Sequence, residues 1–258
     1  HRCIFCAYDY IGHPNRRLET GRLLTFINEI ARCRVRSLLF AGEGEPLLHS
    51  DIDKFIVHSK EKGIDVGLFT NGQLLREEIA RKVLPCLSFI RFSVNGGTSE
   101  NYAAIHSVKA SVCKEVLENI EMSVKIKKEK NLDVDIGVQY VLLPENINYV
   151  TQAVKVLKDK GIDYFAIKPF VQQSQSQFYK MERQFGLDEV EEVFGKAEEF
   201  SDKTFKVIAR REAIIKYNVR NYKHCYGTSF ISVLNSAGDI ASCLPYWDKK
   251  EFIFGNIY

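Results

Sequence analysis

The phrase Lys-Gly-Ile-Asp occurs twice, at 62–65 and 160–163, each time where a helical periodicity stops and an apolar extended run begins. A glycine at that point supplies the left-handed residue that ends a helix, and the β-branched residue after it favours a strand. A chain that reuses one helix-stop, strand-start junction is stacking β–α units. Read with that period, the segment 18–170 alternates almost without interruption. Leu23, Ile27, Ile30 and Ala31 share a helical face before an extended run over 35–40. Ser50 with Asp53 forms a capping-box pattern ahead of Phe55 and Ile56, and a strand over 64–69 follows Gly63. Leu75, Ile79 and Val83 mark a third helix, 87–94 a strand, and Val116, Leu117, Ile120 and Val124 a longer helix. Val134, Ile136, Val138, Tyr140 and Leu142 alternate as a two-faced strand does. Asn146 caps a helix with Val150, Val154 and Leu157, and the last strand of the series spans 163–170.

Five units result, with strands beginning near 37, 64, 88, 134 and 163. Right-handed crossovers roll such units into a parallel α/β barrel or part-barrel. One strand ahead of His1 would make it a six-unit (β/α) partial TIM barrel. Beyond Phe170 the pattern changes. Gln172 to Gln177 reads as a polar loop, and Val190, Val193, Phe194, Ala197 and Phe200 as a further helix. A short strand pair within 231–241 turns at Asn235-Ser236-Ala237-Gly238. The expected division is a barrel over 1–170, a connecting helical segment over 171–215 and a small hairpin-bearing appendage over 216–258.

At 258 residues with 45% hydrophobic and 27% charged content, the chain can bury a large core. A net charge of +3 is too mild to argue for a nucleic-acid surface, and the basic run at 125–130 is broken by Glu129 on a helical face. No apolar run is long enough to span a membrane. Seven cysteines in a domain with this much core point away from a disulfide framework and toward metal or redox chemistry in a reducing cytoplasm.

The chemistry-bearing residues recur just after the strands, where a parallel barrel brings its loops to one mouth. They are Cys3 and Cys6, Glu43-Gly44-Glu45-Pro46, Thr70-Asn71-Gly72, Ser93 to Asn95, Leu142 with Leu143-Pro144, and Lys168-Pro169. Two cysteines three positions apart can seat thiolates on one metal centre, and they equally suit a redox pair or half of a zinc site. A carboxylate on a glycine-loosened loop suits a small cationic ligand. The Gly-x-Gly-x-Pro stretch at 42–46 and the triplet at 70–72 also serve as strand-to-helix turns. Lys168, a charge in an apolar strand, lines the central cavity or snorkels to its rim.

Taken together these features resemble the radical S-adenosylmethionine superfamily. Its pattern is Cys-x3-Cys-x2-Cys; Cys3 and Cys6 match the second and third cysteines, and the first would lie four residues before Cys3. His1 begins in mid-motif, so the chain is expected to be truncated at its N-terminus. The resemblance implies a 4Fe-4S cluster on Cys3 and Cys6, with one iron left to hold the amino and carboxylate groups of S-adenosylmethionine. Glu43-Gly44-Glu45-Pro46 is similar to the family's Gly-Gly-Glu-Pro loop, which binds the methionine ammonium, with Glu43 departing from the first glycine. Thr70 and Asn71 stand where relatives carry a similar triplet. Ser93 and Asn95 are implied to reach ribose hydroxyls, Phe5 and Tyr8 to cover the cluster and stack near adenine, and Leu142 and Lys168 to line the cofactor cavity.

Cys225, Gly238 and Cys243 are similar to the opening of a SPASM or twitch appendage, which holds an auxiliary iron–sulfur cluster, and Gly255-Asn256-Ile257 is a phrase common after such hairpins. Zinc or a disulfide would also use two such cysteines. Cys33, Cys86 and Cys113 read as small hydrophobes. The implied reaction delivers one electron into the sulfonium, forms a 5′-deoxyadenosyl radical and takes a hydrogen atom from an unactivated C–H. The expected partners are a small sugar-like or nucleoside metabolite, or a peptide, and a one-electron donor such as flavodoxin or ferredoxin. Nucleic acid and membrane are not expected. Two readings from other classes remain at this level: a zinc-stabilised binding module on Cys3, Cys6, Cys225 and Cys243, and an acid–base barrel enzyme using Glu43, Glu45 or Lys168.

Overall fold

Both Lys-Gly-Ile-Asp junctions close as the sequence requires. Gly63 and Gly161 adopt φ of +78° and +81°. The Gly63 amide donates to the Lys60 carbonyl at 2.9 Å and that of Gly161 to the Lys158 carbonyl at 2.8 Å. The structure, a computed structural model, describes residues 1–172, 175–176, 179–181, 185–212, 222–247 and 249–258. Of the polar loop expected at 172–177, Gln173, Ser174 and Gln177 lie outside the described residues.

In chain order the elements are α1 (Thr20–Arg32), β1 (Ser37–Phe40), α2 (Ile52–Glu61), β2 (Asp65–Thr70), α3 (Glu77–Val83), β3 (Phe89–Ser93), α4 (Ser99–His106), α5 (Ala110–Glu129) and β4 (Asp135–Leu142). They continue with α6 (Val150–Asp159), β5 (Tyr164–Pro169), α7 (Leu187–Glu198), β6 (Lys206–Ala209), β7 (Val233–Leu234), β8 (Asp239–Ala241) and β9 (Ile253–Asn256). The first six strands form one parallel sheet in sequential order, β1 to β6. Sequential neighbours with helical crossovers are what a rolling β–α array produces.

Alternation gives each strand two faces with different tasks. Val66 and Leu68, Ile90 and Phe92, Ile136, Val138, Tyr140 and Leu142, and Phe165 and Ile167 join the helix residues Ile27, Phe55, Ile56, Val116 and Val154 in one buried cluster. Each such side chain contributes about 1.5–3 kcal/mol by leaving water. The opposite parity lines the concave side of the sheet: Phe69, Phe89, Arg91, Ser93, Gln139, Val141, Tyr164, Ala166 and Lys168. Two glycines on that side are required by close packing. A Cβ on Gly67 would lie 2.3 Å from the Phe89 ring, and one on Gly137 2.1 Å from the Tyr164 ring.

Two local readings are corrected. The Ser50–Asp53 capping box does not form; Asp51 stands at the N-cap of α2. Its carboxylate accepts from Thr20 Oγ1 at 2.6 Å and pairs with Lys54 at 2.6 Å. Asn146 precedes a short helical turn, yet its side chain does not cap it. A helix absent from the sequence reading, α4, begins at Thr98, whose hydroxyl accepts from the Asn101 amide at 3.1 Å. The sequence reading also lacks β6, a four-residue strand that pairs with β5 at the edge of the sheet.

The hairpin expected near 235–238 is present. Leu234 pairs with Ile240, Gly238 has φ +87°, and β9 adds a third antiparallel strand. This small sheet is tied to the barrel by the Arg22 Nε donation to the Ile257 carbonyl and by the Glu19 amide donating to the Tyr258 hydroxyl at 2.9 Å. Among the described residues, no helix is long and apolar enough to cross a membrane.

Candidate functional site

The C-terminal ends of β1 to β5 converge on one mouth, and the cysteine loop is fastened beside it by α4. The Arg2 amide donates to the His106 carbonyl at 3.2 Å and the Ile4 amide to the Ile105 carbonyl at 2.9 Å. The Cys6 amide returns to the Cys3 carbonyl at 3.1 Å, so both thiols sit on one turn. All seven cysteines are free. Burial, reinforced by the neighbouring Cys6, pushes the Cys3 thiol up to about 12, and burial raises Cys6 as well. Thiols in such a setting hold their protons unless a cation replaces them, which is what thiolate ligation to a metal does.

The side chain most intimately placed against Cys3 is His106, which the sequence reading missed. It is 1% exposed, and its Nδ1 lies 3.2 Å from Cys3 Sγ. Its Nε2 accepts from the Asn95 amide at 3.2 Å, so Nε2 carries no proton and the neutral ring presents Nδ1–H to the sulfur. Burial holds the imidazole down at about 3, which keeps that neutral form. The ring stacks on Tyr102 with centroids 4.1 Å apart. A sequence signal existed in the Thr98 cap, but Tyr102, Ile105 and His106 make too mixed a face for an apolar periodicity to stand out.

Asn95 and Asn146 complete this node. Asn95, 1% exposed, accepts from the Val141 amide through Oδ1 at 2.6 Å, and Asn146 Nδ2 donates to the carbonyls of Asn95 and Val141 at 3.0 and 2.9 Å. The expected contact of Asn95 with ribose is therefore not what its side chain is doing; it is spent on joining β3 to β4. Ser93 remains half-buried on the concave face. Leu142 has the parity of Val138 and Tyr140 and is fully buried toward the helices, so it does not line the cavity.

The loop after β1 is held by its own acid. Glu45 Oε1 accepts from Thr70 Oγ1 at 2.6 Å and from the Leu47 amide at 3.1 Å, while Oε2 accepts from the Asn71 amide at 2.7 Å. Burial still pushes this carboxyl up, against the pull of those bonds. With three of roughly four acceptor positions used, Glu45 chiefly clamps the β1 and β2 loops and keeps one lone pair for a ligand. Gly44 has open space where a Cβ would stand, and Pro46 starts the short helical turn that follows. Glu43, the departure from the family glycine, accepts from the Ser236 amide at 2.9 Å and so binds the mouth to the hairpin of the small sheet.

Phe5 packs with Ile4 against Ile105, Leu143, Phe170 and Tyr179, an apolar cover beside the cysteine turn. Tyr8 meets Trp247 of the appendage at 5.1 Å between centroids, and burial raises its hydroxyl. Asp9 accepts from Ser176 Oγ at 2.8 Å. Lys168 is half-buried and lowered to about 8, first by burial and then by the charges of Arg91 and Arg210. Cys113 is buried in α5, in keeping with a small hydrophobe.

Among the described residues, one group of three side chains could jointly reach a metal: His1, Cys3 and His106. Cys225, exposed, and Cys243, half-buried, belong to no such group. The donor chemistry of Cys3 and Cys6, two half-buried thiols on one turn with an N–H aimed at sulfur, fits thiolate ligation of an iron–sulfur cluster. A cleft of about 450 Å³ lined by Lys60, Asp65, Leu84, Ser88 and Asp135 opens at the other end of the strands, remote from every expected site residue.

Comparison with known proteins places this arrangement. The chain is 22% identical over 263 residues to the tungsten-containing aldehyde ferredoxin oxidoreductase cofactor-modifying protein of Pyrococcus furiosus, covering 98% of this chain and 70% of that one. It is 24% identical over 163 residues to the dTDP-4-amino-4,6-dideoxy-D-glucose ammonia-lyase of Streptomyces venezuelae, covering 61% of this chain and 33% of that one. In structure it is similar to Streptococcus suis SuiB bound to S-adenosylmethionine, with a TM-score of 0.73 at 15% identity over 98% of this chain and 60% of that one. It is also similar to anSMEcpe bound to AdoMet and the Kp18Cys peptide, with a TM-score of 0.67 at 17% identity over 99% of this chain and 74% of that one. At these identities the structures speak for the fold alone. The Radical SAM superfamily model matches residues 1–167, and the chain belongs to that superfamily.

Proposed function

We propose that this enzyme abstracts a hydrogen atom from an unactivated C–H of a small sugar-like or nucleoside metabolite, in an epimerisation, oxidation or elimination. One observation carries the reading: the cysteine turn, the Glu45–Thr70–Asn71 clamp and Ser93 stand together at the C-terminal mouth of a single parallel barrel. When bound, a 4Fe-4S cluster supplies the electron that cleaves S-adenosylmethionine to the hydrogen-abstracting 5′-deoxyadenosyl radical.

The chain's own residues do the rest. Cys3 and Cys6 supply thiolates, and His106 Nδ1–H donates to the Cys3 sulfur. The remaining acceptor capacity of Glu45, with neighbouring backbone carbonyls, receives the methionine ammonium, and Ser93 meets a ribose hydroxyl. Phe5, Ile105, Leu143 and Phe170 exclude water from the side of the cysteine turn, which protects a radical from quenching. Cys225 and Cys243 begin the ligand set of an auxiliary cluster, and flavodoxin or ferredoxin serves as electron donor.

A small metabolite is preferred over a peptide because a relative named for a nucleotide-sugar ammonia-lyase aligns in sequence over 61% of this chain. SuiB bound to precursor peptide SuiA and anSMEcpe bound to the Kp18Cys or Cp18Cys peptide match at 16–17% identity. Anaerobic incubation with deuterated sugar-nucleotide and peptide pools tests the choice through label in 5′-deoxyadenosine. Label from the sugar-nucleotide pool is expected; label arriving from peptide alone overturns it.

A further inference from the structure

Arg91 is the least expected side chain on the concave face. It stands in β3 level with Gly137, which is level in turn with Tyr164. Its guanidinium carbon lies 4.7 Å from the Phe69 ring centroid, 5.5 Å from that of Tyr164 and 5.7 Å from that of Phe89. Nε donates to the Tyr164 hydroxyl at 3.0 Å. An arginine has five N–H donors, and one is used here. No carboxylate among the described residues pairs with it.

Two further cations stand on the same face, four levels of the register nearer the mouth. Lys168 follows Tyr164 by four residues in β5, a separation that returns its side chain to the concave face. Arg210 donates its amide to the Ile167 carbonyl at 3.2 Å and therefore flanks Lys168 just past the end of β6. Neither pairs with a carboxylate among the described residues. The Lys168 ammonium senses both arginines. The nearby acids are occupied: Glu45 by Thr70, Asn71 and Leu47, Glu43 by Ser236, and Glu145, in the loop after β4, by the Tyr179 hydroxyl.

The concave face thus carries basic side chains over β3, β5 and β6. Arg91 and Lys168 are half-buried and Arg210 is exposed, and such a set of like charges, without a counter-ion among the described residues, is unfavourable until an anion completes it. The planar fork of arginine, here pre-positioned by three aromatic rings, matches the paired oxygens of a phosphoryl group. Lys168 adds a point charge nearer the rim.

We infer that the concave face holds an anion subsite, formed by Arg91, Lys168 and Arg210, which binds the phosphoryl group of a phosphorylated sugar or nucleotide substrate. This deepens the function proposed above and rests on it for the word substrate; the binding itself does not depend on it. With the phosphoryl end held over β3 and β5, the sugar end points toward the cysteine turn and Ser93.

The test uses the full-length protein, anaerobically reconstituted, with inorganic pyrophosphate as the probe in calorimetric titrations and S-adenosylmethionine titrated separately. Wild type is expected to bind pyrophosphate. Lys168→Met should weaken it about tenfold, the effect of losing one charge-assisted hydrogen bond, and adding Arg210→Ala should weaken it further. Arg91→Lys, which keeps the charge and loses the fork, should also weaken it and guards against a folding defect in Arg91→Gln. Each variant should lose more pyrophosphate affinity than S-adenosylmethionine affinity. Absent or unchanged pyrophosphate binding overturns the inference, and so does a parallel loss of S-adenosylmethionine affinity, which would give these cations to the methionine carboxylate. Iron and sulfide counts on the same samples separate the two levels. A loaded cluster without pyrophosphate binding removes the subsite alone, whereas pyrophosphate binding without a cluster keeps the subsite and removes the radical chemistry.

Discussion

His106→Phe isolates the node that joins the cysteine turn to the barrel. The substitution keeps a ring to stack on Tyr102, 4.1 Å away in the native protein, and removes both nitrogens. The Asn95 amide, now bonded to Nε2 at 3.2 Å, is left buried without an acceptor. An unsatisfied buried donor costs about 1–3 kcal/mol, and the lost contact from Nδ1 to Cys3 Sγ, 3.2 Å long, adds to it. A destabilisation of about 2 kcal/mol is therefore expected. In urea titrations of the metal-free protein it should lower the midpoint while leaving the slope unchanged. His106→Gln offers a donor and an acceptor at similar reach and should recover more than half of the loss. Anaerobically reconstituted His106→Phe should also retain less iron than wild type, because its cysteine turn has lost a fixed neighbour. A His106→Phe midpoint equal to wild type would refute the reasoning, since the Asn95 amide would then not depend on the ring.

Three further outcomes follow from the same geometry. Gly137→Ala places a Cβ 2.1 Å from the Tyr164 ring and should cost about 1–3 kcal/mol by overpacking and weaken pyrophosphate binding through displaced Arg91; a urea midpoint equal to wild type contradicts this. Glu43→Gly, which restores the family pattern, removes the bond to the Ser236 amide and should speed hydrogen exchange at 235–239 with the barrel strands unaffected; unchanged exchange there means the bridge is idle. For pH, Lys168 has a folded value of about 8, below its ordinary 10.5. It is fully charged below that value and loses its charge as pH rises through it. Pyrophosphate affinity should therefore fall across pH 8 in wild type, a bound anion displacing the fall upward, and Lys168→Met should lack that limb; identical profiles contradict the assignment.

Much of the barrel was legible because its signals are local. Glycine at 63 and 161 and the alternation over 134–142 each fix an element without help from distant residues, and the strands begin within a residue or two of the expected positions. Strand β6 was not legible, since four residues at a sheet edge carry no usable period and owe their conformation to pairing with β5. Helix α4 was hidden because its buried face is Tyr102, Ile105 and His106 rather than aliphatic. Around the site, residue type alone did not give the directions in which side chains turn. Leu142 turns away from the mouth and Arg91 turns to the concave face because each follows the parity of its strand, whereas Asn95, two residues past β3, is held inward by the Val141 amide. Glu43 looked like a flaw in a motif and is a bridge to a hairpin nearly two hundred positions away, a contact that only the tertiary fold makes.

Anaerobic purification of the full-length protein, with iron, sulfide and zinc counted per chain and repeated on Cys3→Ser and Cys6→Ser, tests the central claim most directly. At least about four irons and four sulfides are expected, the content of a single cubane cluster, with loss of that content in either variant. Zinc in their place, held by His1, Cys3 and His106 and indifferent to Cys6→Ser, would contradict it.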